Sequence, residues 1–159
     1  MADKNSTSMW RGRFFRYAPL FILTAVILLS SGYATMSETS RFIGPLLKFL
    51  FPAASPEFIT FVHGYIRKAA HPCVYALLGF LASRAFFYSS RAFLRRSWHL
   101  FALIFVFLVA TIDEIQQSFV PTRTGIPSDV VLDLAGATVA VVIFYLLHRN
   151  DKMAALPSA

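Results

Sequence analysis

Four long stretches of apolar residues, separated by short polar segments, dominate this sequence. They cover residues 17–34, 69–88, 98–119 and 128–147. A helix needs about 20 residues to cross a bilayer core of about 30 Å, and each stretch is close to that length. We therefore predict four transmembrane helices. Because the loops between the last three are short, those neighbours must run antiparallel.

The segment between the first two stretches has a different pattern. Residues 40–51 are amphipathic but contain Pro45, which we expect to interrupt a helix. Ser55, Pro56 and Glu57 then have the signature of a helix start, with an N-cap serine, a proline at the first position and an acid at the positive end of the dipole. Apolar residues follow at helical spacing. The pattern predicts an interfacial helix that continues into the second span.

These elements define the predicted fold and its divisions. We predict an all-α integral membrane four-helix bundle with an amphipathic interfacial segment between helices 1 and 2. Its parts are a polar cytoplasmic N-terminus (1–16), the membrane domain (17–147) and a cytoplasmic tail (148–159). A signal peptide cleaved near Ala34 is the competing interpretation of the first span, but its apolar core is long for that role.

Glycines at Gly79 and Gly136 each have a small residue four positions later, which favours close helix contacts.

The composition excludes an ordinary soluble domain. Charged residues make up 14% of the chain against about 25% in soluble domains, and 57% of residues are hydrophobic. The net charge of +7 is explained by basic loops and not by nucleic-acid binding, because no basic stripe carries interleaved aromatic residues. A single cysteine, Cys73, rules out an intramolecular disulfide and a CxxC motif.

The distribution of lysine and arginine predicts the orientation. Nine of them fall in the N-terminus, the loop after the second span and the tail, and Arg84 near the end of the second span makes ten; five fall on the opposite side. The more basic side is cytoplasmic in bacterial membrane proteins, so we predict both termini in the cytoplasm.

Polar and ionisable residues collect at the opposite, extracytoplasmic end of the predicted bundle. Arg67, His71 and Tyr75 are successive i+4 neighbours on the second span. Lys68 also lies at the start of the second span. The other members come from the third span, the turn after it and the fourth span: Asp113, Glu114, Gln117, Arg123, Asp129 and Asp133. A carboxylate in a membrane costs about 2.5–3.5 kcal/mol at the centre, so these groups must face the interior and be paired or protonated.

Two kinds of role are open for this set. Arg67, Lys68 and Arg123 suit an anionic headgroup, with Tyr75, Gln117, Asp129 and Asp133 as further ligand-binding residues. His71 with Asp113 or Glu114 suits general acid–base catalysis. Carboxylates with histidine also suit a hard divalent cation, but no HExxH-type spacing supports a metal site. No motif in the sequence indicates a particular cofactor. The structural alternative is a network that only holds the helices together, with Asp129 as a helix cap.

Three motifs resemble the VanZ-like family of bacterial membrane proteins. They are Arg67-Lys68-Ala69-Ala70-His71, Asp113-Glu114-Ile115-Gln116-Gln117 leading to Pro121-Thr122-Arg123, and Ser128-Asp129 through Asp133 with Gly136-Ala137. The order and spacing agree over residues 17–147. Two positions depart from the family pattern, with Val74 where many relatives have Glu and Thr122 where Gly is more usual.

The resemblance implies a small multi-pass protein of the bacterial cytoplasmic membrane. Its namesake is associated with low-level resistance to the glycopeptide teicoplanin. From the motifs and the resemblance together, we expect a membrane protein that binds a cell-envelope lipid, an anionic or lipid-linked precursor, at its extracytoplasmic end. A membrane-embedded hydrolase or transferase for a lipid-linked substrate is one alternative. An accessory protein with a purely structural polar network is the other.

Overall fold

The computed structural model of the protein describes residues 4–31, 36–119 and 127–154. These residues form helices and no strand. The helices are α1 (Lys4–Ser30), α2 (Met36–Leu50), α3 (Pro56–Phe87), α4 (Ala92–Arg96), α5 (Trp98–Ser118) and α6 (Pro127–Ala154). Four of them, α1, α3, α5 and α6, are long and apolar enough to cross a membrane. The predicted all-α bundle with four spans is confirmed.

Helix α3 is the longest of the four and includes both the predicted interfacial helix and the second span. It runs without a break for 32 residues, which is about 48 Å of helix and exceeds a bilayer core of about 30 Å. The predicted start is confirmed, because the Ser55 side chain accepts a hydrogen bond of 3.2 Å from the Phe58 amide. The predicted interfacial helix and the second span are one continuous helix, which begins outside the apolar layer and contains Pro72.

Helix α2 has three faces. One face packs toward α3, and on it the Leu47 side chain is 4% exposed. The next face is apolar and exposed, with Phe42, Leu46 and Phe49. The third carries Arg41, Pro45 and Lys48. This is the arrangement of a helix lying in the membrane interface with its polar side toward water.

The predicted interruption at Pro45 is not found. Pro45 lies inside α2, where it removes only the amide that would bond the Arg41 carbonyl. That carbonyl is on the polar face, where water or lipid headgroups can bond it, so the helix continues.

Helix α3 is the centre of the bundle and contacts every other helix. Its approach to α6 is the closest. A Cβ built on Gly136 would lie 2.3 Å from the Pro72 carbonyl oxygen, and one on Gly79 would lie 3.0 Å from the Ala137 carbonyl oxygen. Both glycines are those that the small-residue spacing indicated, and both allow backbones to touch.

Polar and aromatic contacts fix one end of the bundle, here called the basic end. The Tyr17 hydroxyl donates to Ser89 Oγ at 3.0 Å. The ring of Trp98 packs edge-on against Phe87, with centroids 5.8 Å apart, and His148 of α6 contacts the Phe87 ring at 5.5 Å. The first half of α1, the end of α3, the start of α5 and the end of α6 therefore meet at this end. The opposite end, where α3 begins and α5 ends, is here called the cleft end, after the cleft described below.

Candidate functional site: a polar cleft on the membrane-facing surface

A stripe of polar side chains on α3 leads into the bundle from the cleft end. Arg67 and His71 are half-buried, and Tyr75 is 1% exposed. From Arg67 to Tyr75 the stripe covers about two helical turns, or about 12 Å along the axis. The stripe thus passes from a partly accessible cation to a fully buried hydroxyl.

Asp113 of α5 is the point where the polar contacts meet. The Tyr75 hydroxyl donates to Asp113 Oδ2 at 2.9 Å, and the Gln117 amide donates to the same oxygen at 2.9 Å. The Ser31 hydroxyl, just after α1, donates to the Asp113 carbonyl oxygen at 3.2 Å. Asp113 lies five residues before the end of α5, about 7.5 Å inside it, so the carboxyl group lies within the apolar layer.

These residues border a cleft of about 240 Å³ between α1, α2, α3 and α5. Its polar lining includes Arg67, His71, Tyr75, Asp113 and Gln117, together with Ser30, Ser31 and Thr39. Its apolar lining is Ile27, Ile43, Ile66, Ala70 and Val74. The last three form an exposed stripe along α3 beside the polar one, so the cleft opens on a surface that faces lipid.

Asp133 of α6 belongs to the same polar cluster but does not line the cleft. Its side chain is 3% exposed, and within the described ranges no group hydrogen-bonds its Oδ1 atom. Asp113, Asp129 and Glu114 are close enough to act on it electrostatically, and Asp133 acts in turn on Tyr75. The predicted convergence of acids from the third and fourth spans is therefore present.

Other predicted site residues lie outside the cleft. Lys68 is exposed and does not line it, because its position on α3 is turned away from the stripe of Arg67 and His71. Asp129 and Glu114 are half-buried and also do not line it. Arg123 belongs to residues 120–126, which are not among the described residues.

The structure adds a histidine that the motifs did not single out. His63 is 3% exposed, and its Nε2 atom lies 3.1 Å from the Thr39 hydroxyl of α2. His63 is four residues before Arg67, so it extends the stripe of Arg67, His71 and Tyr75 by one turn. Extending the i+4 spacing backward would have found it. Its contact ties α2 to the mouth of the cleft.

The chemistry of this arrangement follows from its donors and acceptors. Arginine and histidine at the mouth suit an anion, and a carboxylate at the base suits a donor or a positive charge. Among the described residues, no three His, Cys, Asp or Glu side chains lie close enough together to hold a metal ion.

Four long apolar helices define the class of protein, a multi-pass helical membrane protein, and a polar cleft opens between α1, α2, α3 and α5. The family follows from comparison with known families. The family model described as VanZ/LLP1 matches residues 14–148, and the chain belongs to that family. The resemblance seen in the three motifs is thus confirmed. Comparison with curated proteins gave no match, and comparison with solved structures gave none.

Proposed function

We propose that this VanZ-like protein binds a phosphate-bearing lipid of the cell envelope, with the headgroup in the cleft. The observation that carries the proposal is that one cleft combines Arg67 and His71 with an apolar stripe exposed toward lipid. An arginine at a membrane interface suits a phosphate because its planar donors match two phosphate oxygens. The exposed stripe of Ile66, Ala70 and Val74 suits the first part of an acyl chain.

The size of the cleft supports a headgroup as the bound part. Sites for drug-sized ligands measure about 300–1,000 Å³, whereas this cleft is about 240 Å³. It accommodates a headgroup and the start of a chain, while the rest of the lipid stays in the bilayer. Such partial burial does not require the bundle to open.

The proposed location is the bacterial cytoplasmic membrane, with the basic end in the cytoplasm and the cleft in the outer leaflet. The support is the count of basic residues, ten against five. Reporter fusions check it. Alkaline phosphatase fused after Leu50 should be active and fused after Arg96 inactive, and green fluorescent protein should show the reverse. The opposite pattern at both sites would invert the orientation.

Substituting the arginine at the mouth tests the binding. Arg67→Gln should lower the amount of phospholipid that copurifies with the protein, seen by native mass spectrometry, by about tenfold, since it removes a charge-assisted contact. The matched control is Lys68→Gln, which removes the same charge from the adjacent, exposed position outside the cleft. It should leave the bound phospholipid unchanged.

Equal losses in both variants would attribute binding to general surface charge and contradict the cleft. If both bind lipid normally and Arg67→Gln only lowers thermal stability in detergent, the structural alternative is correct.

His71 and Asp113 line one cleft, which favours acid–base catalysis as a second candidate function. A headgroup altered on incubation with wild-type protein but not with His71→Ala, with or without EDTA, would establish that candidate.

The same variants address the proposed physiological effect. If bound envelope lipid underlies a change in teicoplanin susceptibility, cells expressing wild-type protein should tolerate more teicoplanin than cells with Arg67→Gln. Lys68→Gln should match wild type at equal expression. An unchanged inhibitory concentration in all three strains would separate this protein from glycopeptide susceptibility.

A further inference from the structure

The carboxyl group of Asp113 is buried against neutral donors among the described residues. It is 4% exposed, and both of its hydrogen-bond donors, the Tyr75 hydroxyl and the Gln117 amide, are neutral groups. Within the described ranges no cationic side chain forms an ion pair with it, although Arg67 lines the same cleft. A carboxylate inside the apolar layer is stable only with a partner charge, a proton or several strong donors.

The two carboxyl oxygens of Asp113 are used unequally. Both neutral donors bond Oδ2, and no described residue donates to Oδ1. Asp113 lines the cleft. One oxygen is therefore fixed by the protein, while the second remains available to a molecule in the cleft.

Arg67 and Asp113 mark the two ends of the site. Tyr75 follows Arg67 by about 12 Å along α3, and its hydroxyl bonds Asp113 Oδ2 at 2.9 Å. His71 lies between them on the same stripe. A headgroup in the cleft thus meets a cationic end at the mouth and an anionic end at the base.

We propose that the lipid is an aminophospholipid, whose phosphate binds Arg67 and whose ammonium group donates to Asp113 Oδ1. The inference rests on the lipid-binding function proposed above and names the headgroup. Phosphatidylethanolamine supplies both charges within one small headgroup. Phosphatidylglycerol supplies the phosphate alone, with hydroxyl donors in place of the ammonium group.

The test uses the full chain in nanodiscs with two lipids of identical acyl chains, phosphatidylethanolamine and phosphatidylglycerol. Native mass spectrometry of the released protein gives the ratio of the two bound lipids. Wild type should prefer phosphatidylethanolamine by about tenfold, the value of one charge-assisted hydrogen bond. Asp113→Asn should abolish that preference by lowering only phosphatidylethanolamine binding, since asparagine keeps the acceptor for Tyr75 and Gln117 but loses the charge.

A second measurement needs no variant. Stepwise N-methylation of phosphatidylethanolamine to phosphatidylcholine keeps the charge but removes every N–H donor, so wild-type binding should fall with each methyl group. Equal binding across this series, or a preference that survives in Asp113→Asn, would overturn the inference and leave the lipid-binding function intact. Failure of wild type to retain either phospholipid would overturn both.

Discussion

Replacing Gly136 with alanine is expected to destabilise the bundle by about 3 kcal/mol, the upper part of the range for overpacked cores. The added methyl group would lie 2.3 Å from the Pro72 carbonyl oxygen and 2.9 Å from its carbonyl carbon. Both atoms are backbone, so neither can turn away as a side chain would. The helices α3 and α6 must separate instead. Unfolding by denaturing detergent, followed by helical circular dichroism, measures the loss.

Gly44→Ala is the matched control for this substitution. Gly44 is also inside a helix, α2, but a Cβ there meets no atom within 4 Å. Alanine should therefore stabilise by up to about 1 kcal/mol, because it costs less backbone entropy in a helix than glycine does. Similar stabilities for the two variants would contradict the close approach of α3 and α6 at Pro72.

Tyr75→Phe is expected to cost about 1.5 kcal/mol, since it removes one donor from a buried carboxylate. The lost hydroxyl lies 2.9 Å from Asp113 Oδ2. A double-mutant cycle with Asp113→Ala, which removes the acceptor, isolates the pair, and the coupling should carry most of that cost. The measurement is again unfolding in mixed detergent. Coupling of about 0.6 kcal/mol or less, the average for hydrogen bonds between transmembrane helices, would contradict a stronger than usual bond to Asp113.

Tyr65→Phe controls for the loss of a hydroxyl from the same helix. Tyr65 is 63% exposed, and its ring packs on Phe61 with centroids 4.7 Å apart. That ring contact survives the substitution, so stability should change by less than about 0.5 kcal/mol. A cost equal to that of Tyr75→Phe would mean that the buried hydrogen bond contributes nothing specific.

Much of the fold was predictable because hydrophobic length and helix signals are local. The cap at Ser55 and the limits of α5 follow from neighbouring residues alone. The polar cluster was also predictable, since antiparallel spans of similar length bring the end of the third and the start of the fourth to the level where the second begins. The contact between Gln117 and Asp113 is a plain i+4 pair.

The remaining features depend on packing between helices, which local patterns do not specify. Lys68 was predicted at the anion site with Arg67 because of its charge and its place at the start of the second span, but only the rotation of α3 against its neighbours shows that it faces outward. The contact of His63 with Thr39 joins residues 24 positions apart and requires α2 to fold back on α3.

The exposed stripe of Ile66, Ala70 and Val74 beside the cleft determines how a lipid ligand would arrive. Entry from the side keeps the acyl chains in the bilayer throughout, so neither partner has to pass through water. Occupancy then depends on the mole fraction of the lipid in its leaflet, and exchange proceeds by two-dimensional diffusion. A change in the lipid composition of the membrane would therefore change the fraction of this protein that has lipid bound.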